Sequence, residues 1–414
     1  MKCPPFIVLM AICLASCAGP SSVLSISSPG SSSLPEGAKY VYKLPEADNV
    51  QRLSPDRATS LRGPAMADLT AEMEKTDGNF VLSPASYLLS VAGLASVSRD
   101  FPLASFGLSD AMTDLKALLE AWNFEYRYAQ DFGYTKDEKY CSFEAVVAHQ
   151  SVGPTYRFDP VKRDALAQDY VTTLESSLAD YHKDATSFFH DVLDFTIPVP
   201  DPQLIRDSVL TYGGFKVKDF VPGGLATSKN ALFNSKVVSA HTFGSVYYPE
   251  YLSYYQGENY QVFRLPINYT SMVIVLPAVG TSINDISLYE AYSSFLQHGE
   301  TAATVGYVPY FHNRTESQDI TACIANKLKG KEIFYDALLP DTTLNDLMLD
   351  KVLQSSDFEF NEYGISGESI TVVVAAGASE PKEHEVITLN VDRPFYAISE
   401  KDGFPLFINR VVSL

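Results

Sequence analysis

The chain has 414 residues, of which 46% are hydrophobic and 20% charged. This globular composition excludes a disordered chain and provides ample material for a core, in two domains or one large mixed domain. Acidic residues outnumber basic ones by 50 to 31, which gives a formal net charge of −19. The charge argues against nucleic acid as a partner, because binding a polyanion needs clustered Lys and Arg, and it favours basic proteins.

The N-terminus has the pattern of a secretion signal. Lys2 precedes an apolar stretch from Phe6 to Ala15, which is too short to span a bilayer, so residues 1–16 are predicted to be a signal peptide. The sequence Leu14-Ala15-Ser16-Cys17 resembles the lipobox of bacterial lipoproteins, in which the cysteine is acylated and becomes the new N-terminus. The alternative is an ordinary signal peptide with an incidental cysteine, which would leave the protein secreted.

A flexible tether is predicted next. Residues 17–40 are rich in Ser, Pro and Gly and cannot bury enough surface to fold. Acyl chains on Cys17 would anchor the protein through their buried methylene groups, and the tether would hold the folded head, residues 41–414, away from the membrane. We therefore expect a lipid-anchored protein of the bacterial cell envelope. Ala18 favours the outer membrane by the rule for such lipoproteins, with its periplasmic and surface sides both open.

The first elements of the folded part carry clear start and stop signals. Apolar residues at helical spacing predict a helix over 58–76, which Asp77-Gly78-Asn79 ends. Phe80-Val81-Leu82 follows as a short buried strand. Ser83 as N-cap and Pro84 at the first helical position then open an almost wholly apolar helix, which predicts a buried central helix.

The rest of the chain separates helices from strands. Further helices are predicted at 109–123, 160–180, 284–297 and 316–328. Further strands are predicted at 143–151, 237–242, 260–265, 271–276, 304–308, 369–376, 385–391, 395–399 and 406–412. Because helices crowd the first half and strands the second, the pattern predicts an α+β fold rather than an alternating α/β fold.

Motifs of enzymes and metal sites are missing from the sequence. It contains no GxSxG elbow, HExxH motif, P-loop or EF-hand loop and no Cys/His cluster at metal spacing, so no enzyme, cofactor or metal site is predicted. A hydrolase whose catalytic residues form no recognisable motif stays an alternative. Once the signal peptide is removed, Cys141 and Cys323 remain besides Cys17. They either pair in an oxidising compartment or stay as two free thiols.

The most informative segment is 359–395. Glu359 to Gly364 has the pattern of a strand that ends at a turn, and the residues from Ile365 to Ala378 alternate. Odd-numbered positions are uncharged and mostly small, whereas even-numbered positions carry the only charge, Glu368. Such a segment can enter a sheet with one face buried at little cost, and its Gly and Ser content also lets it lie outside a sheet. The alternative is a permanent strand followed by a loop.

With motifs elsewhere in the chain, this segment resembles the serpin family over residues 58–414. The motifs, in chain order, are Asn79-Phe80-Val81-Leu82-Ser83-Pro84-Ala85-Ser86, Lys216-Val217-Lys218-Asp219-Phe220-Val221-Pro222, Asn230-Ala231-Leu232-Phe233, Ser271-Met272-Val273-Ile274-Val275-Leu276-Pro277, Arg393-Pro394-Phe395-Tyr396 and Leu406-Phe407-Ile408-Asn409-Arg410-Val411-Val412. The resemblance implies a single large domain with a central, mainly antiparallel sheet, further sheets, surrounding helices and an exposed reactive loop. We also expect a monomer.

In serpins the reactive loop traps a serine protease. The protease attacks the loop as a substrate and forms an acyl-enzyme, and the cleaved loop then inserts as a new strand into the central sheet and distorts the protease. The resemblance makes residues 362–383 this loop, with a hinge at Glu362-Tyr363-Gly364. Its inserting face would consist of Ile365, Gly367, Ser369 and Thr371. A charge on that face would oppose insertion, because an unpaired buried charge is costly.

The spacing that the family keeps from the hinge Glu places the scissile bond at Ala378–Ser379, or at Gly377–Ala378 if the loop is one residue shorter. Small residues before the bond suit elastase-like or subtilisin-like serine proteases, whose shallow primary pocket rejects large side chains. Lys382 would suit a trypsin-like protease, but it lies too far downstream for the usual spacing. The acidic net charge would assist encounter with a basic, elastase-type protease.

Several positions depart from the family pattern, among them Glu368, which breaks the usual run of small residues, and Val237 or Val238, which replaces a Trp at the top of the sheet. Ile365 follows the hinge Gly, where the family prefers Thr or Ser, and Gln354 stands where many members have a His that bridges strands under the sheet. An amide can still hydrogen-bond there. With Gln354, a structural role at the base of the sheet is expected for Asn79, Ser83, Ser86 and Asn230. These departures leave two hypotheses, a membrane-tethered protease inhibitor and a non-inhibitory serpin with a binding or structural role.

Overall fold

The computed structural model describes residues 22–25, 38–42, 53–127, 139–152, 156–193, 208–221, 224–329, 333–335, 338, 346–347, 349–350, 352–368 and 386–414. Sheets and helices in these residues form one domain, which confirms the predicted α+β fold class. Within the same ranges, no helix combines the length and the apolar character that a membrane span requires.

Helices of the described part begin mostly at side-chain caps. Ser54, Ser83, Asp110, Asp159 and Ser287 each accept a hydrogen bond from a backbone N–H of the first turn, which satisfies donors that a helix leaves unpaired. The α-helices are α1 (Pro55–Met73), α2 (Pro84–Ser96), α3 (Ala111–Ala121), α4 (Pro160–Gln168), α5 (Tyr181–Leu193), α6 (Leu288–His298) and α7 (Thr321–Leu328).

Strands make up the rest of the regular structure. In chain order they are β1 (Ser22–Ser25), β2 (Ala38–Tyr42), β3 (Phe80–Leu82), β4 (Ser98–Arg99), β5 (Phe124–Arg127), β6 (Lys139–Val152), β7 (Val171–Ser176), β8 (Ser208–Phe220), β9 (Thr227–Phe233), β10 (Lys236–Phe243), β11 (Glu250–Gln256), β12 (Tyr260–Pro266), β13 (Ser271–Pro277), β14 (Glu300–Pro309), β15 (Phe311–Asp319), β16 (Ile333–Tyr335), β17 (Asp346–Leu347), β18 (Leu353–Asn361), β19 (Gly364–Glu368), β20 (Ile387–Asn390), β21 (Phe395–Lys401) and β22 (Phe404–Val411).

Sheet A is the large, mainly antiparallel sheet. Its order is β1-β2-β7-β6-β8-β19-β18-β15, with β5 beside β6, and only the β1–β2 and β6–β7 pairs of these described strands are parallel. At the edge, β1 lies within the predicted tether 17–40, and β2 begins there. The apolar residues Val23 and Leu24 interrupt the Ser-rich composition at β1.

Sheet B contains the most buried strands. Its order is β3-β22-β21-β13-β12-β11-β14-β10-β9, with β20 beside β14, and β4, β16 and β17 form a small third sheet. Every residue of β13, β21 and β22 is buried. An almost wholly apolar run in a strand covered on both faces explains the burial of β13, whereas β21 and β22 also bury charged side chains such as Glu400 and Arg410.

Helix α2 lies between the two large sheets, against β8 of sheet A and β22 of sheet B. Close approach to sheet A depends on two glycines. A Cβ on Gly93 would lie 2.7 Å from Val147 Cγ1, and a Cβ on Gly213 would lie 2.4 Å from the Ser90 backbone N. The predicted central, buried helix is therefore confirmed.

Two predicted helices are shorter than expected because a strand occupies part of each range. The segment 160–180 forms α4 and then β7, where the β-branched run Val171-Thr172-Thr173 favours a strand. The segment 316–328 contains the end of β15 before α7 begins. The predicted strand 369–376 lies outside the described residues.

A histidine is buried in the middle of sheet A. His149 on β6 is fully buried opposite Thr211 of β8, and its Nδ1 lies 2.9 Å from the Thr211 hydroxyl oxygen. Burial lowers the pKa of the imidazole to about 3, because the charged form would lose its hydration.

Acid is therefore expected to destabilise the protein in part through His149. The imidazole of the unfolded chain binds a proton below a pH of about 6.5, whereas the folded one stays neutral down to about 3. Stability is lost as the pH falls through this window, by up to about 1.4 kcal/mol per pH unit. His149→Asn keeps a hydrogen-bonding side chain that does not titrate, so its free energy of unfolding, measured in urea, should fall less steeply. Equal slopes in the two proteins would contradict this expectation.

Candidate functional site

The segment singled out by its alternation begins as a strand in sheet A. After β18, the two residues Glu362 and Tyr363 turn the chain, and β19 then runs antiparallel to β18, with Gly364 opposite Asn361. On its other side β19 pairs antiparallel with β8, with Ile365 opposite Asp219. The hinge strand β19 therefore lies between β8 and β18, and neither flanking strand pairs directly with the other in the described part of the chain.

The hinge strand extends only part of the way along its neighbours. It covers residues 217–220 of β8 and residues 357–361 of β18. Residues 208–216 of β8 and 353–356 of β18 have no partner strand on this side among the described residues. A strand that continued β19 would run along these residues and could pair with both strands.

The inward face of the hinge strand packs against aromatic rings. Ile365 is fully buried and lies opposite Phe360, and Gly367 is buried opposite Phe358. A Cβ on Gly367 would lie 2.8 Å from the ring of Phe407 and 3.0 Å from that of Phe358. The sheet therefore buries Ile at 365 completely and has no room for a side chain at 367.

Gly364 is required at the start of the strand. Its φ of +139° is a conformation that L-residues with side chains rarely adopt. A Cβ there would also lie 2.3 Å from the backbone oxygen of Asp219. Both observations make Gly364 the residue that lets the chain enter sheet A directly after the turn.

The turn before the hinge strand is bound to the segment that follows β8. The backbone N–H of Val221 donates to the Tyr363 oxygen at 2.7 Å, and that of Leu225 donates to the Glu362 oxygen at 2.7 Å. The rings of Phe220 and Tyr363 lie 5.9 Å apart. These contacts fix the point at which the chain leaves β18.

A buried carboxylate holds the end of β8 beside the hinge. Asp219 is fully buried and accepts hydrogen bonds from the Thr270 hydroxyl and backbone N–H, both at 2.8 Å, and from the Tyr269 N–H. Burial raises the pKa of the Asp219 carboxyl, and the hydrogen bonds oppose this effect. Sequence reasoning missed this role. The sequence does contain a sign of it. Asp219 follows Phe215 and Val217 at every second position, so a charged residue falls on the face of β8 that these apolar residues bury.

A polar network under sheet A joins it to sheet B and α2. The Gln354 amide of β18 accepts from the Ser83 backbone N–H at 3.0 Å and donates to the Ser83 backbone oxygen at 2.9 Å. The Ser83 hydroxyl donates to the Leu406 oxygen of β22 at 2.8 Å and caps α2 through the Ser86 N–H. An amide therefore bridges these elements where a His was expected in related sequences.

The remaining residues expected at the base of the sheet divide into two groups. Ser86 donates through its hydroxyl to the Gly213 oxygen of β8 at 2.7 Å, and Asn79 accepts from the backbone N–H groups of Val412 and Ser413. Asn230 lies elsewhere, since it is exposed on β9, the edge strand of sheet B. A polar residue in a solvent-facing edge position explains its presence there.

Other predicted positions fall outside the described residues. These are Cys17, Ser369, Thr371, Gly377, Ala378, Ser379 and Lys382. Cys323 is a free, buried thiol whose Sγ lies 3.6 Å from the Asp68 oxygen, which favours the free-thiol alternative for this residue. In the described ranges no group of His, Cys, Asp and Glu side chains could hold a metal ion.

Comparison with known proteins gives a consistent result. Residues 234–414 match the family model described as Serpin (serine protease inhibitor). The native-state structure of the thermophilic serpin Tengpin has a TM-score of 0.62 at 15% identity, over 88% of this chain and 96% of that one. Serpin48 of the insect Tenebrio molitor has a TM-score of 0.58 at 17% identity, over 87% of this chain and 98% of that one.

Thyroxine-binding globulin in complex with thyroxine also has the same fold, with a TM-score of 0.61 at 14% identity, over 86% of this chain and 99% of that one. A search of curated proteins gives no match to this chain.

Proposed function

Residues 234–414 match the serpin family model and the described chain has the serpin fold, and from this premise we propose that the protein is a suicide inhibitor of serine proteases. The protease cuts the chain between the hinge strand β19 and β20, and the freed segment then extends β19 along sheet A. Serpins are generally protease inhibitors rather than enzymes.

One observation carries this proposal. The hinge strand is already paired on both sides, and in the described part of the chain both flanking strands, β8 and β18, extend beyond it in the same direction. Each residue added to β19 would satisfy backbone groups of both neighbours. Insertion would therefore proceed by extending an existing strand rather than by opening an intact sheet.

The sequence beyond the hinge strand suits this extension. If the alternation of the sequence continues beyond Gly367, Ser369 and Thr371 would share the face of Ile365, and Glu368 would belong to the opposite face. Neither Ser369 nor Thr371 carries a charge, so burying them would require hydrogen bonds but no ion pair.

The target is an elastase-like or subtilisin-like protease. Cleavage at Ala378–Ser379, or at Gly377–Ala378, would present only small side chains to the primary pocket of the protease. A net charge of −19 would favour a basic protease.

A non-inhibitory role is the second candidate. Thyroxine-binding globulin shares the fold and is described as a thyroxine complex, so binding is one use of this architecture. The fully buried Ile365 is the observation that favours this candidate, because a chain already held in the sheet gains less from further insertion.

Incubation with elastase followed by a denaturing gel separates the two candidates. An inhibitor yields a covalent protease complex that survives denaturation, and the cleaved protein melts at a higher temperature than the intact one because sheet A has gained a strand. Clean cleavage without a complex and without a gain in melting temperature would support the second candidate.

The protein acts at a membrane surface. Removal of residues 1–16 would leave Cys17 at the N-terminus for acylation, with the protein anchored in the bacterial outer membrane. Cys17→Ser is expected to move the protein from the membrane fraction to the soluble fraction. Retention of this variant in the membrane fraction would refute the anchor, and loss of the N-terminus without lipid in the parent protein would support secretion instead.

A further inference from the structure

The loop between β10 and β11 exposes one aliphatic and two aromatic side chains. The exposed fractions are 72% for Val246, 89% for Tyr247 and 83% for Tyr248. We name residues 244–249 the tyrosine tip. Tyrosine at this level of exposure is unusual on a free surface and is enriched in protein interfaces, where its ring offers contact area at a low cost in conformational entropy.

The tyrosine tip is held in one shape by its backbone. Ser245 and Tyr248 exchange hydrogen bonds between their backbone N–H and C=O groups, at 2.8 and 3.0 Å. Gly244 has a φ of +61°, and a Cβ there would lie 2.5 Å from the Thr304 oxygen. A preorganised loop loses little entropy on binding, which favours recognition.

The pairing of β14 fixes where the tip projects. Phe243, the end of β10, lies opposite Gly306 of β14, and Glu250, the start of β11, lies opposite Thr304. The six residues of the tip therefore form a loop beside Val305, the single residue of β14 between Thr304 and Gly306. Strand β20 pairs with the other edge of β14, with Ile387 opposite the same Thr304.

The tip consequently stands close to the C-terminal end of the reactive segment. Two strand spacings separate it from the start of β20, a distance of about 10 Å. A globular domain of 100 residues already has a radius of gyration of about 13 Å. The proposed scissile bond lies eight residues before Ile387, an extended length of about 28 Å, so a protease bound there would be within reach of the tip.

The chemistry of the tip fits a basic surface. The exposed Glu250 follows it directly, and the half-exposed Tyr251 comes next. Exposed tyrosine faces attract Lys and Arg side chains through their π electrons, and Glu250 adds a formal negative charge to those of an acidic protein.

We propose that the tyrosine tip, with Glu250, is a secondary docking site for the target protease, which contacts it through Lys or Arg side chains beside its active site. The proposal rests on the proposed function, because it takes the protease bound at the reactive segment as the occupant. The docking site would contribute to affinity and to selectivity for the target protease, separately from the residues around the scissile bond.

Binding to an inactive protease tests the docking site without requiring inhibition. The probe is a basic elastase whose catalytic serine is replaced by alanine, and the full-length protein is titrated with it. We expect the double variant Tyr247→Ser, Tyr248→Ser to raise the dissociation constant about tenfold, as for aromatic anchors elsewhere. Tyr247→Phe, Tyr248→Phe keeps the rings and should bind within a small factor of the parent protein.

A matched control is Val279→Ser, at a position that is 86% exposed outside the tip, which should leave the dissociation constant unchanged. Equal melting temperatures of all variants will exclude misfolding. If the serine double variant binds as tightly as the parent while the parent traps active elastase, the docking site is refuted and the proposed function stands. If the parent neither binds nor traps any basic serine protease, both proposals fail.

Discussion

Replacing Ile365 with Arg is expected to expel the hinge strand from sheet A and to turn an inhibitor into a substrate. Ile365 is fully buried between β8 and β18, and its burial contributes about 1.5–3 kcal/mol. A guanidinium at this position would have to leave water, which costs several kcal/mol more without a partner. The variant should therefore be cleaved by elastase without forming the covalent complex.

Ile365→Thr is the matched control for this substitution. Thr is smaller and uncharged and is the residue type that related sequences prefer after the hinge Gly, so the covalent complex should persist. Circular dichroism and melting curves should show that both variants fold. Ile365 lies near the start of the short strand β19, and the strands on either side of it, β8 and β18, also belong to sheet A. Unchanged trapping by Ile365→Arg would refute insertion as the mechanism.

Gln354→Leu is expected to lower the free energy of unfolding by about 1–3 kcal/mol, the cost of a buried backbone group that loses its partner. The group is the Ser83 N–H, which donates to the Gln354 amide. The Ser83 C=O loses the second Gln354 bond but still accepts from the Tyr87 N–H. Leu has a similar volume, so a cavity contributes little. Denaturant unfolding followed by far-UV circular dichroism measures the effect.

Gln354→His serves as the control, because an imidazole can donate to the Ser83 oxygen or accept from its N–H. It should lose clearly less stability than the Leu variant. A Leu variant as stable as the parent would mean that this amide bridge is not a significant link between β18 and the start of α2.

The predictability of this fold differs between elements for physical reasons. Helix α2 was predictable because its cap, Ser83, and its first residue, Pro84, act locally on the backbone. Strand β13 was predictable because an unbroken apolar run buried on both faces has few alternatives. Strand β15 was not, since its buried positions include Asn313 and Thr315, whose burial depends on partners remote in sequence.

The hinge region shows the same division. Alternation from Ile365 onward indicated which residues share a face, and the buried Ile365 and Gly367 fall on the predicted one. The sequence alone could not show that β19 is already paired between β8 and β18, because register between distant strands is set by packing. The Asp219–Thr270 contact and the tyrosine tip also depend on strands that meet only in the folded chain.

The division of the C-terminal strands between two sheets has a consequence for a cut chain. Strand β19 belongs to sheet A, whereas β20, β21 and β22 belong to sheet B, where β21 and β22 are buried between β13 and β3. A single cut between them would leave the short C-terminal piece locked in the core as a separate subunit. The intact chain folds as one molecule at any dilution, but the cut protein, once melted, could regain its structure only by a bimolecular encounter whose yield depends on concentration.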